Sequence, residues 1–159
     1  MQRLELNELH EDGIKRQIEA MVAGQIIRAD EAQTVDVKAI VAFADSPLGQ
    51  RLQKADIVRR EMAFSMLLPA EQIYPELSGK DEKIFVQGIA DCVFADKDGI
   101  VLLDYKTDKA PVGELIERYK VQLQLYATAL ERVLKKPINE VYIYGIWAGE
   151  SGKVDTNNK

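Results

Sequence analysis

Two apolar runs rich in β-branched and aromatic residues, 84–95 and 100–105, flank the polar tetrapeptide Asp96-Lys97-Asp98-Gly99. Runs of this kind favour extended chain, and Asp and Gly favour a reversal, so the segment is constrained to a β-hairpin. Reading the tetrapeptide as the loop pairs Ala95 with Ile100, and the same antiparallel ladder then brings Asp91 opposite Asp104. Side chains alternate between faces, so Lys106 lies two residues on from Asp104 on the same face. The convergence needs a loop of even length. An odd loop without a compensating bulge would send the two aspartates to opposite faces.

Two carboxylates side by side among Ile, Val, Leu and Phe repel each other and are expensive to bury unless something compensates them. A divalent cation is one compensation, and oxygen ligands favour Mg²⁺ or Mn²⁺. Lys106 would then orient or help deprotonate an attacking water, or stabilise developing negative charge. A hairpin in which Lys106 is simply salt-bridged to an aspartate satisfies the same spacing. Spacing alone leaves both readings open.

Around this hairpin the pattern predicts one domain over residues 1–150. A helix is expected over 12–23, with Asp12 as its cap and Ile14, Ile18, Met21 and Val22 on one stripe. A second is expected from Asp30 to Phe43, and a short third begins at Ser46-Pro47 and runs through Leu48 and Leu52. Extended chain follows from Ile57 through Phe64. After Pro111, the segment 113–134 is a long helix, with Leu115, Tyr119, Gln122, Leu123, Tyr126 and Leu130 at helical spacing, and 140–147 is a last strand. The first three strands form a meander, and the long helix allows a parallel crossover to the fourth. The tail 151–159 reads as uncompacted and disordered.

Composition narrows the function. The chain has 26 acidic against 21 basic side chains, a net charge of −5, which argues against gripping nucleic acid by bulk positive charge. The lone Cys92 excludes an internal disulfide, a cysteine zinc site and a four-cysteine iron–sulfur cluster. No stretch approaches the roughly 18 apolar residues of a membrane span, and MQRLELNELHEDG lacks signal-peptide character, so a soluble intracellular protein is expected.

Three segments carry a family resemblance. Gln87-Gly88-Ile89-Ala90-Asp91 and Leu102-Leu103-Asp104-Tyr105-Lys106-Thr107-Asp108 resemble the G-x-x-D and D-Y-K-T motifs of RecB-type nucleases, and Tyr119-x-x-Gln122-x-x-x-Tyr126 resembles their Q-x-x-x-Y helix motif. Arg60-Glu61-Met62-Ala63-Phe64 and Val141-Tyr142-Ile143-Tyr144 extend the similarity to the AddA type of bacterial helicase-nuclease chain, specifically its C-terminal nuclease domain. The resemblance implies an α/β (α+β) fold of the PD-(D/E)XK, restriction-endonuclease-like kind, a central mixed sheet flanked by helices. It implies a metal-dependent deoxyribonuclease, acting as exonuclease or endonuclease, that cuts unwound DNA strands during double-strand-break repair and leaves 5′-phosphates. Asp91 and Asp104 would hold Mg²⁺ or Mn²⁺, with Glu61 as a further acidic group; Lys106 would assist the water, and Gln122 and Tyr126 would line the site. A solvent-facing edge glutamate would look the same as a ligand at Glu61, and Tyr126 fits core packing equally well.

The family also has a metal-binding histidine on an upstream helix. His10 lacks that context and reads as solvent-facing, while Met1-Gln2 resembles the residues that follow the family histidine, so the chain is expected to be an excised fragment. No phosphate-binding loop of the G-x-x-x-x-G-K-[ST] kind is present, so ATP would be used only in an absent helicase portion. The implied setting is the bacterial cytoplasm; the implied partners are DNA and a second helicase-nuclease subunit, with no membrane. The alternative is a nuclease fold without catalysis, kept for docking the partner subunit or binding DNA.

Overall fold

The computed structural model describes residues 1, 3–72 and 74–155. Its centre is a five-stranded sheet whose spatial order follows the chain: β1 (Ile57–Pro69), β2 (Lys83–Asp96), β3 (Gly99–Lys106), β4 (Glu140–Gly145) and β5 (Glu150–Lys153). Neighbours are antiparallel except β3 and β4, which run parallel because the helix α5 (Val112–Leu134) carries the chain across between them. α5 packs on one face over Ala90, Val93, Leu102, Val141 and Ile143. On the other, α3 (Val37–Asp45) and α4 (Pro47–Gln53) supply Phe43, Leu48 and Leu52 against Cys92, Phe94, Val101, Leu103 and Tyr144. Both faces of β3 are therefore covered, which suits its uninterrupted Ile-Val-Leu-Leu run.

The hairpin turn is tighter than the expected four residues. Asp96 pairs with Gly99, leaving only Lys97-Asp98 in the turn. Asp96 Oδ1 accepts the Asp98 amide at 3.0 Å, and Gly99 adopts φ 122°, open to glycine. A two-residue loop and a four-residue loop have the same parity, so the register Ala95↔Ile100 is the expected one.

The β1–β2 ribbon departs from simple alternation. Val58 and Arg60 of β1 turn toward the face covered by α3 and α4, whereas Met62, Phe64 and Met66 pack under α5; β2 does the same, with Cys92 and Phe94 on one side and Ala90 and Val86 on the other. The pairings Arg60↔Cys92 and Met62↔Ala90 are kept, and the pair between them, Glu61 and Asp91, is missing from the ladder. Glu61 has φ 51°, a left-handed backbone that costs a non-glycine residue about 1–2 kcal/mol. Both strands thus change face at one level, and the level is that of Asp91.

Three expectations are corrected. The stretch 30–43 is two helices, α2 (Ala29–Gln33) and α3, because Asp36 takes the Ala39 amide at 3.0 Å and starts a new helix. The cap of α1 (Glu11–Ala23) is His10, whose Nδ1 accepts the Gly13 amide at 3.1 Å; Asp12 lies inside the first turn. The tail expected to be disordered supplies β5, and Val154 beyond it is 2% exposed. Its backbone pairs with the edge of β4 from Gly145↔Glu150 to Tyr142↔Lys153, after a turn in which the Gly149 amide bonds to Gly145 O at 2.8 Å. Residues 156–159 lie outside the described residues.

Arg51 of α4 joins the helical layer to the sheet. Its Nε is 2.8 Å from Asp96 Oδ2 and its Nη1 2.7 Å from Glu140 Oε2, and Glu140 is also bonded by Lys153 Nζ at 2.9 Å. Arg51 holds the Asp96 carboxyl below its ordinary 3.8, and Lys153 together with Arg51 holds Glu140 below 4.5. Depressed folded-state values contribute stability that is present above the unfolded values and lost as pH falls through the folded ones. Arg51→Met should lower unfolding free energy by about 2 kcal/mol at neutral pH, and the deficit should shrink below roughly pH 4, as read from urea midpoints across pH.

Candidate active site

Asp104 stands near the C-terminal end of β3, between apolar layers, and is 4% exposed. Its Oδ2 lies 2.7 Å from Lys106 Nζ, yet the approach is not aligned as a hydrogen bond, and the buried oxygen has no other partner among the described residues. The ion pair and the unsatisfied oxygen therefore coexist. Desolvation pushes the Asp104 carboxyl above the usual range, Lys106 opposes the shift, and the charge of Asp91 adds to it.

Asp91 reaches this point from β2. Ladder pairing ends at Cys92↔Leu103, one step short of Asp91 and Asp104, and the Asp91 Oδ2 accepts the Tyr105 amide at 2.9 Å instead. The carboxylate thus stands in for a backbone acceptor where the strands part. It also lines a hollow of about 250 Å³ with Met1, Arg60, Tyr105 and Ile146. Arg60 Nη1 donates to the carbonyls of Leu4 (2.6 Å) and Met1 (3.2 Å), tying the N-terminal segment across β1 beside Asp91.

The α5 residues form two groups. Gln122 Nε2 bonds to the Tyr126 hydroxyl at 3.2 Å, and the Tyr126 ring meets Phe64 edge-on at 4.9 Å. Gly88 makes room for that ring, since a Cβ there would lie 2.7 Å from Tyr126 Cζ and 2.9 Å from Phe64 Cζ. Among the described residues Gln122 and Tyr126 share no hydrogen bond with Asp91, Asp104 or Lys106. Tyr119 does reach the site: Lys106 Nζ sits 4.1 Å from its ring centroid, and its hydroxyl bonds to Asp108. Tyr119 shares the spacing of the core residues on α5, so periodicity assigns it no separate role. Glu61 is exposed on the far side of Asp91's break in pairing and forms no ion pair among the described residues.

No group of three or more His, Cys, Asp or Glu side chains is arranged to hold a metal ion among the described residues. What remains is a pair of carboxylates, Asp91 and Asp104, with one buried oxygen lacking a directional partner. That donor set fits a hard divalent cation such as Mg²⁺, which commonly takes one or two protein carboxylates and fills its other positions with water and phosphate oxygens.

The sequence profile of the PD-(D/E)XK nuclease superfamily matches residues 3–150. The chain belongs to this superfamily. Among curated relatives, it is 42% identical over 156 residues to the AddA chain of the ATP-dependent helicase/nuclease of Desulforudis audaxviator, covering 95% of this chain and 13% of the relative. It is 41% identical to the corresponding helicase/nuclease chain of Bacillus cereus, over 91% of this chain and 13% of the relative, and 44% identical to that of Bacillus cytotoxicus, over 84% and 12%. The chain thus spans about an eighth of the length of these relatives. The mixed sheet with flanking helices is the expected PD-(D/E)XK fold, and nucleases of this superfamily generally use a divalent metal.

Two stability measurements bear on this geometry. A carboxyl whose folded value is raised makes stability fall as pH climbs from the unfolded value through the folded one. Asp104→Asn removes that penalty and should raise unfolding free energy by about 1 kcal/mol at pH 8, with little gain at pH 3, in urea titrations. Gly88→Ala drives a methyl into Tyr126 and should lower it by about 1–3 kcal/mol at either pH.

Proposed function

We propose that this chain is the nuclease domain of a bacterial helicase-nuclease, cutting phosphodiester bonds of DNA strands unwound during double-strand-break repair. The observation that carries the reading is the meeting of Asp91, Asp104 and Lys106 where β2 and β3 part, with a buried Asp104 oxygen left without a directional partner. Superfamily membership and relatives named as helicase/nuclease subunits support it. Asp91 and Asp104 hold the cation, with Mg²⁺ the first candidate and Mn²⁺ the second. When bound, the cation supplies positive charge at the phosphate and lowers the pKa of a coordinated water.

The chain's own groups define the rest of the chemistry. The Asp104 side chain is fixed by the covered strand around it, and Asp91 by the Tyr105 amide, so both acceptors are held without reorganisation. Lys106 places an ammonium beside them, where it orients the attacking water or meets the negative charge that builds on the phosphate. Gln122 and Tyr126 set the seat of α5 on Gly88, and through it the position of the helix over the site. Glu61 is retained as an outer acidic group. With net charge −5, the domain depends on a motor and a second subunit to deliver single strands, and ATP is used outside residues 1–150. The site of action is the bacterial cytoplasm; no helix among the described residues is long and apolar enough to cross a membrane.

A second reading is a nuclease fold kept for docking. It is favoured by the bare face of the β1–β2 ribbon, where Leu67, Phe85 and Ile89 are each more than half exposed. Calorimetric titration of Mn²⁺ separates the two. The nuclease reading expects saturable binding that is lost in Asp104→Ala, and Mg²⁺-dependent cleavage of single-stranded DNA that EDTA abolishes. Lys106→Ala should keep the binding and slow cleavage by about 100-fold or more. Absence of binding in the wild type would sink the nuclease reading and leave docking.

A further inference from the structure

Lys106 has two partners of different kinds. Its ammonium lies 2.7 Å from Asp104 Oδ2 and 4.1 Å from the centroid of the Tyr119 ring. The ring is fixed at both ends: its body packs with the core under α5, and its hydroxyl donates to the Asp108 carboxylate at 3.2 and 3.3 Å. Asp108 is in turn gripped by Arg118 Nη1 at 2.9 Å, and Arg118 Nη2 bonds to Glu114 at 2.7 Å. The loop after β3 and the first turns of α5 are thus joined around one aromatic face.

The two partners respond differently to a cation on Asp104. A divalent ion there takes over the carboxylate and repels an ammonium a few ångströms away. A lysine held by the carboxylate alone would then swing out on its four-carbon stem. The ring face carries no net charge that a metal could neutralise, and its attraction for an ammonium survives.

We propose that Tyr119 is a positioning residue for Lys106, a second seat that keeps the ammonium at the site when a divalent cation occupies Asp104. The proposal rests on the nuclease reading, since it requires a cation at Asp91 and Asp104. Tyr119 touches neither substrate nor metal in this role; it acts through Lys106. The same clamp explains why Asp108 and Arg118, which face away from the aspartate pair, are tied to Tyr119 at all.

The test uses the intact chain with ¹³C-labelled lysine and Mg²⁺ alone, following the Lys106 Hε–Cε signals assigned by Lys106→Arg. Protons above an aromatic face shift upfield, so in the wild type these signals should lie upfield of the other lysines, and should stay there when Mg²⁺ is added. Tyr119→Phe keeps the ring and should retain the shift, whereas Tyr119→Leu should lose it, with Tyr119→Met in its place should the Leu variant not give the dispersed amide spectrum of the fold. A purely structural Tyr119 would not produce this pattern. Wild-type signals among the other lysines, or a Mg²⁺-induced move to the Tyr119→Leu position, would overturn the proposal. Should Mg²⁺ leave the backbone amides around Asp91 and Asp104 unmoved, the metal reading itself fails, and an upfield Lys106 would then mark a packing contact only.

Discussion

Holding a carboxylate inside a strand covered on both faces is the constraint around which this molecule is arranged. Asp104 follows Leu102 and Leu103 in the middle of the sheet, where water cannot solvate it. Among the described residues its cationic partner is Lys106, which comes from the same strand two residues on, so pleating alone aligns the pair. The arrangement offsets the charge without satisfying the oxygen's hydrogen-bonding geometry. A fully satisfied ion pair would be a better structural element and a poorer ligand.

The change of face at Glu61 and Asp91 follows from the same constraint. Beyond this level α3 and α4 no longer cover the sheet, while α5 still does, so both strands turn their apolar side chains toward the helix that is present. Asp91 falls at the crossing point, where the ladder is open and a side-chain oxygen can take the Tyr105 amide. The strain at Glu61 is therefore located where an irregular backbone serves the candidate chemistry.

Much of this is legible in the sequence, for reasons that differ by residue. The placement of Asp91 beside Asp104 depends only on the parity of the turn, which survives although the turn is two residues and not four. The parallel crossover is legible because α5 is long and strongly periodic. The face change is not, since Ala63 and Ser65 between larger residues carry little pattern, and β5 is not, since an edge strand such as Glu150–Lys153 is specified by its partner's free backbone groups and not by its own side chains. The split between α2 and α3 turns on one cap at Asp36. Glu61 reads as a candidate ligand from its neighbours in the motif, and its left-handed backbone is a tertiary effect that no local propensity encodes.

The parallel pairing of β3 with β4 also orders the assembly of the domain in time. β1, β2 and β3 are joined by short reversals, so their antiparallel contacts close small loops, whereas β4 can reach β3 only after the 23-residue α5 has been laid across the sheet. Loop-closure entropy and contact order favour the meander as the earlier structure. Until β4 docks, Asp104 and Lys106 lie on an open edge, hydrated and free to move. Burial of that carboxylate thus belongs to the final consolidation of the sheet, and a chain caught before it would have the hairpin formed but the pocket chemistry unmade.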